Sequence, residues 1–294
     1  MDIGLVLGGG GARGYAHIGV LQALEEQGLR PVAISGCSMG GLVGAYFAAG
    51  YSAADIRALV SEISFLQLLT PGVLGGLVGG SKFEALLDEH LPKTFEELSL
   101  PVAVTTVDVQ CGELFIFRSG QLTPALRATS ALPGIIAPIH YEGRYFIDGG
   151  LLNNLPVDVI KTMTHAPVVA VDVAAPPNRK LAFTKTEPKF STRFQSLFTD
   201  DMQNFADNLK QLVAPSLELF KRSLTIELFM KSFDVPQAVL TQMRLAMHPP
   251  ALCIVPELDT QFGVEDFGRL EEGIEAGYEA ARAALEHFLI GTSP

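Results

Sequence analysis

Cysteine is scarce in this chain. Cys37, Cys111 and Cys253 are its three thiols, spread far apart with no C-x-x-C pair. Such spacing argues against a disulfide framework and a cysteine-rich metal site, and predicts reduced, mostly buried thiols of a cytoplasmic protein. Basic residues are also few, with 21 Lys and Arg against 32 Asp and Glu, a net charge of −11. This acidity is unsuited to nucleic acid and to electrostatic adhesion on anionic lipid. No apolar run approaches the roughly 18 residues that a membrane-crossing helix needs. The opening Met1-Asp2 lacks a basic stretch and a small-residue cleavage site, so no signal peptide is evident. Internal repeats and long linkers are missing too. What is present is a core: 48% of the 294 residues are hydrophobic. That suffices for one large α/β domain over residues 1–294.

Strand-like and helix-like patterns alternate along the chain, which predicts an α/β fold around a mainly parallel sheet. Ile3 to Leu7 is a short apolar run, followed by Gly8-Gly9-Gly10-Gly11-Ala12-Arg13-Gly14 and then apolar residues at helical spacing. Val32 to Ser35 reads as a strand, and Leu42 to Ala49 as a buried helix. Ser52 starts a capped helix with Asp55 in its first turn. The stretch from Phe65 to Gly80, apolar and rich in glycine, is compatible with a mobile lid and with a buried core loop. Leu100 to Val109 and Leu114 to Phe117 read as a hairpin, and Thr123 to Ala131 as a short helix stopped by Leu132-Pro133-Gly134. Tyr141 to Ile147 leads into Asp148-Gly149-Gly150, an acid on a tight turn. Val168 to Val173 is a further parallel-type strand. From 176 to 247 a loop and then helical spacing predict an insert. Leu252 to Val255 and a helix over Phe267 to Phe288 complete the pattern.

Two glycine-rich turns carry the chemical signal. The first, Gly8 to Gly14, offers bare amides at the start of a helix to an anion. A Walker loop needs G-K-[ST] where Gly14-Tyr15-Ala16 stands. A Rossmann turn needs an acid at the end of the next strand, and none is there. A transition-state oxyanion therefore leads among the anions, with Arg13 either an electrostatic helper or a surface residue. The second turn is Gly36-Cys37-Ser38-Met39-Gly40, a G-x-S-x-G between strand and helix that would force Ser38 onto an exposed elbow. A serine needs a base. None of His17, His90, His140, His165, His248 and His287 lies on a glycine-flanked loop after a strand, and His17 suits packing. Asp148 does lie on such a turn. A partly desolvated carboxylate can serve as that base. Asp108 and Asp172, near strand ends without a glycine turn, suit structural hydrogen bonding.

Three ordered motifs resemble those of patatin-like phospholipases: G-G-G-x-R-G at Gly9, Gly10, Gly11, Arg13 and Gly14; G-x-S-x-G at Gly36 to Gly40; and D-G-G at Asp148, Gly149 and Gly150. Ser130-Ala131-Leu132-Pro133 is similar to that family's proline-containing block. Gly14 to Leu21 resembles the bacterial branch related to the neuropathy target esterase catalytic domain. The resemblance covers roughly residues 3 to 175. It implies a three-layer α/β/α fold and a Ser–Asp dyad, with Ser38 as nucleophile, Asp148 as base, and the amides of Gly9, Gly10 and Gly11 as oxyanion hole with Arg13 nearby. The implied reaction is hydrolysis of an acyl ester of a phospholipid or lysophospholipid through an acyl-serine, without calcium or another cofactor and without a metal.

Two other classes remain open on sequence. An acyltransferase of related fold would pass the acyl group to an alcohol, although Cys37 stands where malonyl-type transferases carry histidine. An adaptor with a decayed site would use the helical insert as an interaction surface, against which the intact Ser38 and Asp148 speak. The substrate class also predicts transient contact with a membrane surface, through apolar residues of 66–78 or of the insert rather than through charge. The same helices suit a homodimer equally well.

Overall fold

Apolar residues on both faces of consecutive strands dictate the architecture. The computed structural model describes residues 1–63, 80–174, 224–259 and 262–291. In β1 (Asp2–Leu7), Ile3, Leu5 and Leu7 enter one core, while Val6 enters a second on the opposite face. A sheet buried on both sides needs a layer on each, and this one has them.

The main elements in chain order are β1, α1 (Ala16–Glu26), β2 (Arg30–Cys37), α2 (Met39–Ala48), α3 (Ala53–Glu62), α4 (Ser81–His90), β3 (Val102–Asp108), β4 (Glu113–Phe117), α5 (Leu122–Thr129), β5 (Ile139–Tyr141), β6 (Arg144–Asp148), α6 (Val157–Ile160), β7 (Val168–Val171), α7 (Leu224–Met247), β8 (Leu252–Ile254) and α8 (Leu270–Gly291). The sheet runs β5-β6-β3-β2-β1-β7-β8, with β4 also on β3. Pairs β1–β2, β1–β7, β2–β3 and β7–β8 are parallel, whereas β4, β5 and β6 pair antiparallel. The larger core joins the sheet to α1, α2 and α8, and the smaller sets Val6, Ala33, Val168 and Ala170 against Val157 and Ile160 of α6. The expected α/β fold with a mainly parallel sheet is the one observed.

The two edges of β3 are shared unequally. β4 covers one edge from Val104 to Asp108. β2, pairing up to Thr105, and β6, pairing from Thr106, must therefore share the other edge end to end. Cys37 is opposite Thr105, and Asp148 is opposite Thr106.

The chain divides into two compact units, Met1–Pro176 with Pro236–Pro294, and Pro177–Val235. The second falls within the stretch expected as an insert, and of it only residues 224–235 of α7 are described. Residues 64–79, which hold most of the lid-or-loop stretch, lie outside the described residues. The capping box at Ser52 and Asp55 is present. One expectation is corrected. Cys37 is buried, but Cys111 and Cys253 are exposed. Cys111 sits in the hairpin turn between β3 and β4, and Cys253 on the outermost strand β8.

Helices α1 and α8 meet backbone to backbone. A Cβ on Gly277 would overlap the Ala16 carbonyl, and one on Gly19 the Ile274 carbonyl. Gly277→Val is expected to destabilise the domain by about 1–3 kcal/mol, the usual range for overpacking, and to lower the thermal midpoint by several degrees. Gly268→Ala, where a new Cβ meets nothing within 4 Å, is the control and is expected to melt as wild type does.

Candidate active site

Ser38 is the single residue between β2 and α2, with φ 51° and ψ −125°. Positive φ is uncommon for a residue with a Cβ, and here it turns the chain sharply enough to present the side chain. Flanking glycines make the turn feasible: a Cβ on Gly36 would lie 2.7 Å from Gly41 Cα, and one on Gly40 would overlap the Leu7 carbonyl. Gly36, Cys37, Met39 and Gly40 are buried, whereas Ser38 is half-buried. Its N–H donates to Thr129 Oγ1 at 2.8 Å, and that hydroxyl donates to the Thr105 carbonyl at 2.7 Å. Ser38 also occupies the N-cap position of α2, without a side-chain capping bond, where the helix dipole is positive.

Asp148 is the last residue of β6 and only 4% exposed. Its N–H donates to the Ala131 carbonyl at 3.0 Å, so Thr129 and Ala131, two residues apart, hold Ser38 and Asp148 respectively. Asp148 Oδ1 accepts the Gly150 N–H at 2.8 Å and faces Cys37 Sγ at 3.5 Å. Burial pushes its pKa up to about 6, while hydrogen bonds from the Ser38 side chain, the Gly150 amide and Cys37 pull it down. The turn stays tight because Gly149 packs on the Thr105 backbone, leaving no room for a Cβ.

The first glycine loop is held from several sides. The Gly8 N–H donates to the Val171 carbonyl at 3.0 Å. His17 Nε2 lies 2.7 Å from the Gly8 carbonyl, which only accepts, so this nitrogen carries the ring proton. Burial lowers the His17 pKa to about 4 and keeps the ring neutral. Asn154 grips Gly9 twice: its carbonyl accepts the Gly9 N–H at 3.2 Å, and its side-chain amide donates to the Gly9 carbonyl at 3.0 Å. The Ala12 N–H donates to the Val264 carbonyl at 2.9 Å. Gly9 is buried, and a Cβ on it would lie 3.2 Å from Ser38 Cβ. Gly10 and Gly11 are half-buried, with Gly11 at φ 56°. Among the described residues the Gly9 amide has a backbone partner in Asn154. Gly14 packs on Met39, the residue after Ser38. Buried Arg13 directs its charge to Asp172, whose carboxyl is raised by burial and lowered by that cation.

Several positioning groups escape a reading of the sequence. Asn154, Thr129 and the Ala131 carbonyl are three. Two more lie on α7: Gln237 Nε2 donates to the Gly150 carbonyl at 3.2 Å, and Arg244 Nη1 pairs with Asp158 at 2.7 Å while its Nε donates to the Leu152 carbonyl at 3.3 Å. Their only sequence signal was polarity within an apolar helix. Asp108 accepts the amides of Gln110 and Cys111, the structural role expected of it. No histidine hydrogen-bonds Ser38 or Asp148 among the described residues.

A covered, mainly parallel sheet with a strained serine between strand and helix is the architecture of acyl hydrolases built on a nucleophile elbow. A model of the patatin-like phospholipase family matches residues 5–161, and the chain belongs to that family. An NTE family protein of Mycobacterium tuberculosis is 39% identical over 175 residues, covering 58% of this chain and 49% of the relative. Another from the same organism is 32% identical over 299 residues, covering 97% and 46%. Human patatin-like phospholipase domain-containing protein 6 is 29% identical over 298 residues, covering 96% and 20%. The chain thus spans about half the length of the first curated relatives it matches. The crystal structure of VipD from Legionella pneumophila shares the fold, with a TM-score of 0.59 at 15% identity over 97% of this chain and 67% of that one.

Asp148 and His17 act oppositely on stability. Unfolded, Asp148 titrates near 3.8 and His17 near 6.5; folded, they titrate near 6 and near 4. As pH falls from about 6 to 4 the folded state takes up the Asp148 proton first, which stabilises it by about 2 kcal/mol. Over nearly the same window the unfolded state takes up the His17 proton first, which destabilises the fold by a similar amount. Asp148→Asn removes only the first effect. Its stability advantage over wild type is expected to shrink by about 2 kcal/mol between pH 7 and pH 4 in urea unfolding. A difference independent of pH would refute the raised carboxyl.

Proposed function

We propose that this chain hydrolyses acyl esters of phospholipids or lysophospholipids, with Ser38 as nucleophile and Asp148 as general base. The observation that carries the reading is the placement of the elbow serine beside a buried carboxyl: Cys37, next to Ser38, and Asp148 stand opposite Thr105 and Thr106 on one edge of β3, and Asp148 is buried. Family membership supports the lipid substrate.

In this scheme Asp148 takes the Ser38 proton as Oγ attacks the ester carbonyl carbon. The carbonyl oxygen becomes an oxyanion, which amides of the Gly9, Gly10 and Gly11 loop receive, with Asn154 bracing that loop at Gly9. Arg13 serves the loop from the side facing Asp172. Collapse of the tetrahedral intermediate breaks the ester C–O bond. Asp148 returns the proton to the departing alcohol, leaving an acyl-serine. Water then loses a proton to Asp148, attacks the acyl carbon and releases the fatty acid, and the proton returns to Ser38.

Ser38→Ala is expected to abolish both ester hydrolysis and fluorophosphonate labelling. Asp148→Asn should lower kcat by about 10²- to 10⁴-fold, the range for loss of a general base. Full activity in either folded variant would exclude the dyad.

Lipid has to reach this site from an aggregate. Val239, Met243 and Met247 recur at helical spacing on α7 and are 55%, 55% and 64% exposed. No helix among the described residues is long and apolar enough to cross a membrane. With a net charge of −11, apolar insertion of this face into a bilayer surface is the contact we propose. The protein is expected to float with phosphatidylcholine vesicles, and Val239→Asp with Met243→Asp should reduce flotation. Absence of flotation by wild type would refute the contact, and concentration-dependent self-association of the same face would assign it to a homodimer.

A further inference from the structure

Acyl transfer by Ser38 and Asp148 leaves one buried titratable group at the site unused. Cys37 precedes the nucleophile, is 0% exposed, and its Sγ lies 3.5 Å from Asp148 Oδ1. We propose that the Cys37 thiol is a positioning group for the general base, donating its S–H to Asp148 and favouring the ionised carboxylate. This inference rests on the Ser38–Asp148 reading and adds a third donor to it.

The backbone enforces the contact. Cys37 and Asp148 occupy adjacent registers on the same edge of β3, opposite Thr105 and Thr106. The sulfur therefore meets the carboxylate without any freedom of a loop. The groups that face Asp148 come from every element packed around it: Cys37 from β2, Ser38 from the elbow, Thr105 and Thr106 from β3, the Ala131 carbonyl after α5, and the Gly150 amide, with Gln237 of α7 bound to that glycine. Cys37 has the most acidic side chain of these, and none is a cation. Burial and the Asp148 charge raise the thiol pKa well above its ordinary value, so it stays protonated as a donor. Hydrogen bonds to the Thr105 and Thr129 side chains oppose this rise. An S–H donor is weak. Its effect is a displacement of the pH range over which Asp148 accepts a proton, not the creation of the base.

The test is the pH dependence of Ser38 labelling by a fluorophosphonate and of p-nitrophenyl ester hydrolysis. It compares wild type with Cys37→Ala, Cys37→Val and Cys37→Ser, and includes Asp148→Asn. The acidic midpoint, independent of plateau height, is expected to rise by on the order of half a pH unit in the Ala and Val variants. Cys37→Ser, which restores a donor, should return it toward wild type. Val nearly conserves volume and carries the comparison if Ala does not fold. An unmoved midpoint in the variants without a donor, or an equal shift in Cys37→Ser, would overturn the role of Cys37. Loss of the acidic limb in Asp148→Asn alongside unmoved cysteine variants would leave the dyad standing and remove Cys37 alone. An acidic limb and full activity retained in Asp148→Asn would instead overturn the dyad.

Discussion

Two strands approach along one edge of β3 from opposite directions and stop one register apart, β2 at Thr105 and β6 at Thr106. Everything at the site depends on that abutment. Cys37 and Asp148 are 111 residues apart in sequence, yet backbone ladders on β3 bring them together. A parallel strand delivers the serine at its C-terminal end, and an antiparallel strand delivers the acid from the other side. Reversing β6 would carry Asp148 to the far end of its strand, away from Ser38. The antiparallel portion of an otherwise parallel sheet is thus the part that brings Asp148 to the serine elbow.

Around this junction the chain places small residues and short hydrogen bonds rather than charges. Thr129, Ala131, Asn154 and the Gly8 carbonyl with His17 hold the elbow, the acid and the glycine loop, and none of them is ionised. Such a setting has an electrostatic consequence. Burial without a nearby cation raises the Asp148 pKa and lowers that of His17, so each is pushed toward its neutral form. A carboxylate in this state is more basic than one in water. The same desolvation that raises its basicity penalises the folded protein at neutral pH. Function and stability pull against each other at one residue, as is usual where a site needs an uncomfortable group.

Glycine patterns made Ser38 and Asp148 legible, because a sharp turn restricts which residues can stand beside it. Alternation and apolar runs likewise revealed the covered sheet. The groups that hold these two residues carried no such signal. Thr129 reads as an ordinary helical position and Asn154 as a turn residue, and their partners lie 91 and 145 residues away. Cys37 reads as bulk. That Asn154 would bond both the amide and the carbonyl of Gly9 was equally illegible. The cysteines misled for a related reason: residue type suggested burial, but position on a hairpin turn and an outer strand decided exposure for Cys111 and Cys253.

The glycine loop draws one of its anchors from late in the chain. Ala12 bonds Val264, and Tyr15 reaches the Phe267 carbonyl across 252 residues. Helix α8 then closes on α1 through Gly19 and Gly277. During synthesis on the ribosome, the serine elbow and the acid turn emerge long before these contacts can form. Sequence-distant closure is also slow. A nascent chain would therefore carry Ser38 and Asp148 next to a loop that still lacks these anchors. The glycine loop beside Ser38 is thus completed only when the segment around Val264 and helix α8 has docked on Ala12, Tyr15 and Gly19.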